Sequence, residues 1–498
     1  MKQSKVIVSG VFWTIFQNVI SILYGIVSVP FLINYFGKEE YGLIGLALSV
    51  NVYIQLLDMG MTNSNVKFFS EFIEKGEEEK VQRLFSLTHL FYLAIGILNS
   101  IVLFGISFFV SDLFLVDESQ AVILRNLLWI LALNATFSWL SICFDQFLRA
   151  HELVDWIKKR SAFLKLLQFG ILAVTILFKL SIELYFFAYT FIVTAILPWT
   201  LLKAKKVDLH LKINFRFNKE MFLHIIPYAL SVFSFSIFQF LAINFRPLFL
   251  GNMSGPAAVA EFNVMSTIAM VVTVLSGSFM QVLLPIVTKM SVKSDKSGID
   301  TIMYDGTKYV NLLLSAVVFC LILCVNEVFT VYVGSEYTSL SKWMVVWLLT
   351  LLLGHRNVMT SLVFTESKLK SVAIMGAIAM SFAITCYIIF TPKYGVGGVV
   401  IGFAVHELIH TLFYYSYFIP RKFNISTWKI LIRTIMPSWL LLGIAVGILY
   451  VLFAYFECST WMSLVLKCIS FGIAFFLISL ILLNDRDKKV IKSVLNRK

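Results

Sequence analysis

The chain has 498 residues, of which 59% are hydrophobic and only 14% are Asp, Glu, Lys or Arg, and its formal net charge is +13. Soluble domains sit near about 45–50% apolar and about 25% charged, so a chain with a mean hydropathy of +0.87 has too little polar surface to cover a water-soluble globule. A soluble enzyme, a disordered protein and a disulfide scaffold are excluded, and lipid is left as the main solvent.

A helix crosses a bilayer with roughly 20 apolar residues. Cutting the sequence at charge clusters and turn residues predicts fourteen such helices, over 6–34, 41–66, 83–110, 122–147, 161–179, 182–202, 221–250, 258–288, 306–328, 340–365, 371–391, 396–419, 430–456 and 460–483. The first is nearly 30 residues long with no A-x-A-like site after it, so it reads as a membrane helix and not as a cleaved signal peptide. With the N-terminus in the cytoplasm, inner segments hold 33 of the 41 basic residues: Lys2 and Lys5, then 67–83, 149–165, 203–219, 289–308, 368–370, 421–433 and the tail 486–498. Lys/Arg bias sets orientation, so both termini are expected on the cytoplasmic side. The +13 charge is thereby assigned to topology and to anionic lipid at the inner face, and not to nucleic acid.

Every outer connection is short, the longest lying near 111–121 and 329–339. A polymerase, ligase or lipid-dependent glycosyltransferase needs a large outer domain for its acceptor, so the chain reads as a non-enzyme. The cysteines are Cys143, Cys320, Cys324, Cys386, Cys458 and Cys468. They show no pairing pattern or metal spacing and read as small apolar packing residues, with no cofactor expected.

Self-similarity appears at an offset of about 215–220 residues. The first span ends Pro30-Phe31-Leu32 and the seventh Pro247-Leu248-Phe249-Leu250-Gly251; the second and eighth run into charged inner loops through Lys67 and Lys289; the turn at Leu180-Ser181 falls opposite Lys393-Tyr394-Gly395. An odd-to-odd match puts the relating axis along the membrane normal, one of the transporter plans with a site between halves. The fold class expected is an all-α polytopic membrane protein: two six-helix halves related by a pseudo-twofold, plus two C-terminal helices. The expected domains are an N-terminal lobe 1–202, a basic cytoplasmic linker 203–219, a C-terminal lobe 220–419, and helices 13 and 14 with the basic tail over 420–498.

Polar residues recur at helical spacing. Span 2 carries Asn51, Gln55, Asp58, Thr62 and Asn65; span 1 carries Thr14, Gln17, Asn18, Ser21, Gly25 and Ser28; span 4 carries Asn134, Ser138, Ser141, Asp145 and Arg149. Such spacing places each set on one face, and in hydrocarbon that face must meet another helix or a water-filled cavity. Arg246, Arg356, Lys67 and Arg149 are basic groups within or at the ends of spans. Guanidinium groups grip phosphate oxygens bidentately and stay charged, so these four, with Asn51, Gln55 and Asp58, are candidates for an anionic, sugar-bearing cargo. Alternatively Lys67, Arg149 and Arg246 snorkel to the interface.

His406-Glu407-Leu408-Ile409-His410 reads HExxH, the zinc-protease signature, and Asp58 is a conceivable third ligand. Fourteen spans without an outer module do not resemble such a protease. Ionisable groups at mid-span are rare and usually functional, so His406, Glu407 and His410, with Asp145, are expected to serve ion coupling. A buried, neutral, hydrogen-bonded pair is the alternative.

The segment Tyr35-Phe36-Gly37-Lys38-Glu39-Glu40-Tyr41-Gly42-Leu43, followed by Leu56-Leu57-Asp58-Met59-Gly60-Met61, resembles the opening of the polysaccharide flippases. The turn Pro392-Lys393-Tyr394-Gly395-Val396-Gly397-Gly398 resembles the "PxYGxxG" turn between their helices 11 and 12. These are Wzx-type O-antigen and repeat-unit exporters of the MATE-like MOP superfamily, and the resemblance covers essentially the whole chain. It implies translocation of undecaprenyl-pyrophosphate-linked oligosaccharides across the bacterial inner membrane by alternating access, a V-shaped cavity between the halves, proton or sodium coupling, and other polysaccharide-assembly proteins as partners. The family often has Asp after helix 7 where this chain has Arg246. Span 1 has no Asp or Glu, unlike a cation-coupled multidrug exporter of the same fold, and no Arg, unlike the lipid II flippases.

Overall fold

The computed structural model describes residues 2–208, 212, 217–292, 295–363, 370–455 and 459–482. Parts of the linker 203–219, Cys458 and the basic tail 486–498 lie outside the described residues. The described residues are helical throughout, with no strand among them. Thirteen described segments are long and apolar enough to cross a membrane by length and composition. The remaining expected span, 221–250, falls on the helices Lys219–Asn244 and Arg246–Met253, and some side chains of the first are outside the described set. Large apolar residues stay exposed along these segments, among them Leu177, Phe178, Leu440, Ile444 and Ile481, as a lipid-facing surface requires. The molecule is a multi-pass membrane protein.

The main helices are α1 (Lys2–Phe36), α2 (Lys38–Ile54), α3 (Met61–Glu74), α4 (Glu78–Ile106), α5 (Glu118–Ala150), α6 (Val154–Phe178), α7 (Ile182–Ala195), α8 (Leu197–Val207) and α9 (Lys219–Asn244). They continue with α10 (Arg246–Met253), α11 (Gly255–Val292), α12 (Thr307–Leu323), α13 (Val325–Tyr332), α14 (Ser341–Leu351), α15 (Asn357–Val363), α16 (Lys370–Tyr394), α17 (Val396–Phe413), α18 (Met436–Ala454) and α19 (Thr460–Leu482). Contacts divide the chain into two compact units, one of residues 1–264 with 387–399, the other of residues 265–386 with 400–498. The divisions fall inside α11, α16 and α17.

Local sequence sets the helix ends. Asp117 accepts from the Gln120 amide at 2.8 Å while the Gln120 side chain accepts from the Asp117 amide, a reciprocal cap that starts α5. Ser181 caps α7 by accepting from the Leu184 amide, and Asn218 caps α9 by accepting from the Met221 amide. Lys179, at φ 52°, closes α6 in a left-handed conformation.

In the first unit α4 and α5 approach closely. Ser100 Oγ donates to the Ala132 carbonyl at 2.7 Å and lies 3.2 Å from Thr136 Oγ1, the small-residue contact by which membrane helices associate. Below it Phe69, Phe85, Tyr92, Trp139, Phe144 and Phe147 form an aromatic core. Gly42 of the Tyr-Gly motif faces the Pro256 carbonyl so closely that a Cβ would stand 1.9 Å from its oxygen, which explains glycine there. In the second unit Leu314, Val318, Phe329, Met344, Leu348 and Leu362 are buried. Asn311 of α12 donates to Ser438 Oγ at 2.6 Å and accepts from Trp439 Nε1 at 2.8 Å, fastening α18.

Several expected spans are not single helices. The second breaks after Ile54 into a 3-10 turn, Gln55–Asp58, before α3. The tenth breaks at Leu352–Arg356 between α14 and α15, and the seventh at Phe245 between α9 and α10. Such interruptions within a membrane are tolerated where neighbours satisfy the freed backbone groups.

Candidate functional site

The first unit holds a partly open cavity of about 410 Å³, bordered by α1, α2, α4, α5, α6 and α7. Its polar lining is Gln17, Asn51, Gln55, Asn99, Asn134, Ser138, Ser161, Lys165, Gln168, Tyr189 and Thr190, with Trp139, Leu48, Leu131 and Leu164 among the apolar members. Asn99 Nδ2 donates to Asn51 Oδ1 at 3.2 Å, while the buried Asn99 Oδ1 has no hydrogen bond among the described residues. Thr194 Oγ1 donates to Asn134 Oδ1 at 3.0 Å and fixes that amide. Lys165 Nζ donates to Gln168 Oε1 at 2.9 Å and stands 4.8 Å from the centre of the Tyr24 ring. No carboxylate is among the described lining residues. Amides, hydroxyls, aromatic rings and one ammonium group make a surface for neutral or anionic polyols, since each amide offers both donors and acceptors.

Asn51 and Gln55 therefore reach the cavity, but the rest of their expected stripe does not continue beside them. Met59 (φ 48°) and Gly60 (φ 77°) are both left-handed and turn the chain between the 3-10 segment and α3. A Cβ on Gly60 would stand 2.4 Å from the Ala229 carbonyl oxygen of α9, so glycine is required here both for its φ and for the approach. Asp58 then serves the start of α3: its carboxylate accepts from Thr62 N at 3.1 Å, Thr62 Oγ1 at 2.9 Å and Tyr92 OH at 2.6 Å. Gln146 Nε2 donates to Tyr92 OH at 2.6 Å and to Thr62 Oγ1 at 3.0 Å, and its Oε1 accepts from Asn65 at 2.9 Å. The one-face stripe is thus two groups, the cavity-lining amides before the break and a closed network centred on Asp58 and Gln146 after it.

In the second unit Arg356 ends the 3-10 segment Leu352–Arg356. Ser276 holds that segment by donating to the Gly354 carbonyl at 2.8 Å and accepting from Asn357 Nδ2 at 2.7 Å. The Arg356 guanidinium meets Glu407 Oε2 at 2.9 Å and also donates to the Glu407 carbonyl and to Thr411 Oγ1. Glu407 Oε1 lies 3.3 Å from His406 Nδ1, and the His406 and His410 rings are 4.7 Å apart. Buried His406 Nε2 and Arg356 Nε have no hydrogen bond among the described residues. The structure brings Arg356 together with the three expected coupling residues. In a catalytic HExxH the Glu activates water beside the metal; here the Glu407 carboxylate is engaged by Arg356.

The other expected residues lie apart from the cavity lining. Arg246 is buried at the start of α10, donates from Nε to the Ile243 carbonyl at 3.0 Å, and sits 5.1 Å from the centre of the Phe262 ring. Lys67 lies over the Tyr228 ring at 3.8 Å, and Arg149 is exposed. Asp145 makes a two-pronged pair with Arg160, both contacts 2.7 Å, and Arg160 also donates to Thr200 Oγ1 at 2.8 Å. Arg160 had a readable signal: Asp145 lies six positions before the turn at His151–Leu153 and Arg160 seven after it, so an antiparallel helical hairpin brings them to about the same level. Lys165 and Gln168 fall three apart on α6 with Ser161 one turn earlier, a polar stripe at helical spacing.

The model of the polysaccharide biosynthesis protein family matches residues 7–291, more than half of the chain. The chain belongs to this family. Among curated proteins no relative matches. The fold is similar to that of the lipid II flippase MurJ in an inward closed conformation (TM-score 0.73, 14% identity, 95% of this chain and 98% of that one). It is also similar to an inward-facing multidrug resistance MATE family transporter of the MOP superfamily (0.64, 15%, 80% and 93%) and to the MATE multidrug transporter DinF-BH (0.65, 15%, 85% and 96%). The expected family and fold class are borne out: this is an all-helical member of a flippase family with a transporter fold.

Proposed function

We propose that this protein carries an undecaprenyl-pyrophosphate-linked oligosaccharide repeat unit across the bacterial inner membrane by alternating access, with both termini cytoplasmic. The observation that carries the reading is the cavity of Asn51, Gln55, Asn99, Asn134, Gln168 and Lys165 in a member of a polysaccharide biosynthesis family. The Asn51, Gln55 and Gln168 amides offer donors and acceptors to sugar hydroxyls, Trp139 and Tyr189 add aromatic lining, and Lys165 supplies attraction for acidic sugars or the pyrophosphate. A cation exporter is less well supported, because the described lining has a lysine and no carboxylate.

Coupling is assigned to Arg356, Glu407, His406 and His410. Glu407 neutralises Arg356, so protonation in this cluster, or competition by an anionic cargo, releases the guanidinium. Arg246, Lys67 and Arg149 are left with electrostatic roles at helix ends, and Asp145 with a structural one.

The test is a reconstituted vesicle assay with a short fluorescent polyprenyl-pyrophosphate oligosaccharide and an impermeant quencher. Wild-type protein is expected to move the lipid, with Lys165→Ala and Arg356→Ala each slower by at least about tenfold. Absence of translocation for any lipid-linked sugar overturns the assignment; an unchanged rate in Lys165→Ala removes Lys165 from cargo binding, and an unchanged rate in Arg356→Ala removes Arg356 from coupling.

A further inference from the structure

Cys320, Cys324 and Cys468 are separated by up to 148 residues in sequence, yet Cys468 Sγ lies 3.9 Å from Cys320 Sγ and 3.8 Å from Cys324 Sγ. All three sulfurs fall within 4.8 Å of one another. Cys320 is on α12 and Cys324 one turn later at its end, which puts both on one face, and Cys468 comes from α19. All three are free thiols. We propose that this triad is a binding site for a thiophilic d10 cation such as Zn²⁺, Cd²⁺ or Cu⁺, tying α12 to α19.

The spacing carries the argument. A metal bound at about 2.3 Å to sulfur has ligand–ligand edges of about 3.8 Å when tetrahedral and about 4.0 Å when trigonal. The two observed separations match these edges, so a metal enters with little backbone movement. Thiolates select soft cations over Mg²⁺ or Ca²⁺. Binding exchanges the S–H protons, released to solvent, for sulfur–metal bonds, and no oxidant is consumed.

Glu327, on α13 just after Cys324, adds a nearby carboxylate, bonded to the residue that precedes Cys468. One of its oxygens accepts from Lys467 Nζ at 2.5 Å and from Ser463 Oγ at 3.0 Å, both on α19. The other, Oε2, is buried with no hydrogen bond among the described residues. Lys467 supplies positive charge beside the thiolates and helps offset the negative charge of a trithiolate complex.

The full-length protein, purified in detergent with a non-thiol reductant, is titrated with Cd²⁺ and followed by thiolate-to-metal charge-transfer absorption. One Cd²⁺ per chain is expected, displaced by Zn²⁺, with affinity lowered at least about 100-fold in the C320S/C468S double variant. Ser at Cys143 and Cys386 leaves binding unchanged. If the double variant does not fold, alkylation of wild-type protein decides: Cd²⁺ protects Cys320 and Cys468 but not Cys386. Absence of the charge-transfer band, an unaltered band in C320S/C468S, or equal alkylation with and without Cd²⁺ overturns the proposal. Unchanged affinity in E327Q removes the carboxylate from the ligand set.

Discussion

Asp145 and Arg160 show what a buried charge does in this chain. Their side chains are mostly covered, 20% and 6% exposed, and the two-pronged geometry satisfies both carboxylate oxygens. Removing one partner of such a pair strands the other, at a cost of about 3–5 kcal/mol, whereas replacing both with apolar residues of similar volume is often near neutral. Arg160→Met or Asp145→Leu is expected to lose about that much, and the Asp145→Leu/Arg160→Met double variant to recover most of it. Thermal unfolding in detergent, run as a double-mutant cycle, measures this; a double variant as unstable as the sum of the singles contradicts it. Gly60→Ala belongs to the same scale. A left-handed φ of 77° costs a non-glycine residue about 1–3 kcal/mol, and the clash with Ala229 adds overpacking of about 1–3 kcal/mol. The expected loss is about 2–6 kcal/mol, whereas Gly105→Ala, whose Cβ meets open space, changes little.

At the scale of elements, the start of α5 depends on Asp117, whose carboxyl is held below the ordinary aspartate range chiefly by the Gln120 amide, with help from Ser119. A depressed pKa means the cap is complete above the usual aspartate value of 3.8 and is lost as pH falls through the lowered one. Amide exchange at Gln120 is therefore expected to be faster in Asp117→Ala than in wild type at pH 7, with the two converging in strong acid. Equal exchange at pH 7 removes the cap from the account. The spans themselves were legible because apolar runs between charge clusters have one stable outcome in lipid. Their interruptions were not. The break at Gln55–Asp58 depends on how closely Ala229 approaches Gly60, and that at Leu352–Arg356 on Ser276, residues far away in sequence. The same distance hid the partners of Arg356 and Lys467, 51 and 140 positions away. Asp145 and Arg160 were within reach of a hairpin argument because their separation is set by one turn. The thiol triad was invisible to spacing: Cys320 and Cys324 share a face, but nothing in the sequence brings Cys468 to them.

At the scale of the molecule, charge and apolar content constrain each other. Forty-one basic residues in a chain that is 59% hydrophobic are costly wherever they meet hydrocarbon, and favourable near an anionic leaflet by about 1 kcal/mol each. The arrangement that serves both terms places the 33 residues of the inner segments on one side. The eight others then need local answers, and several have them: Lys38 pairs with Glu261 at 2.7 Å, Lys467 with Glu327 and Arg356 with Glu407, while Arg246 caps a backbone carbonyl. Because these exceptions are answered locally, the remaining bias is free to set orientation. Single cysteines introduced into an otherwise cysteine-free chain test this in intact cells with a membrane-impermeant maleimide. Ser335→Cys, in the connection near 329–339, is expected to label from outside, and Ser297→Cys, in the charged segment 289–308, only after permeabilisation. The opposite pattern inverts the topology. Labelling of both positions from outside requires an even number of crossings between them, where apolar runs and charge together predict the single span 306–328, and with it a different count of spans.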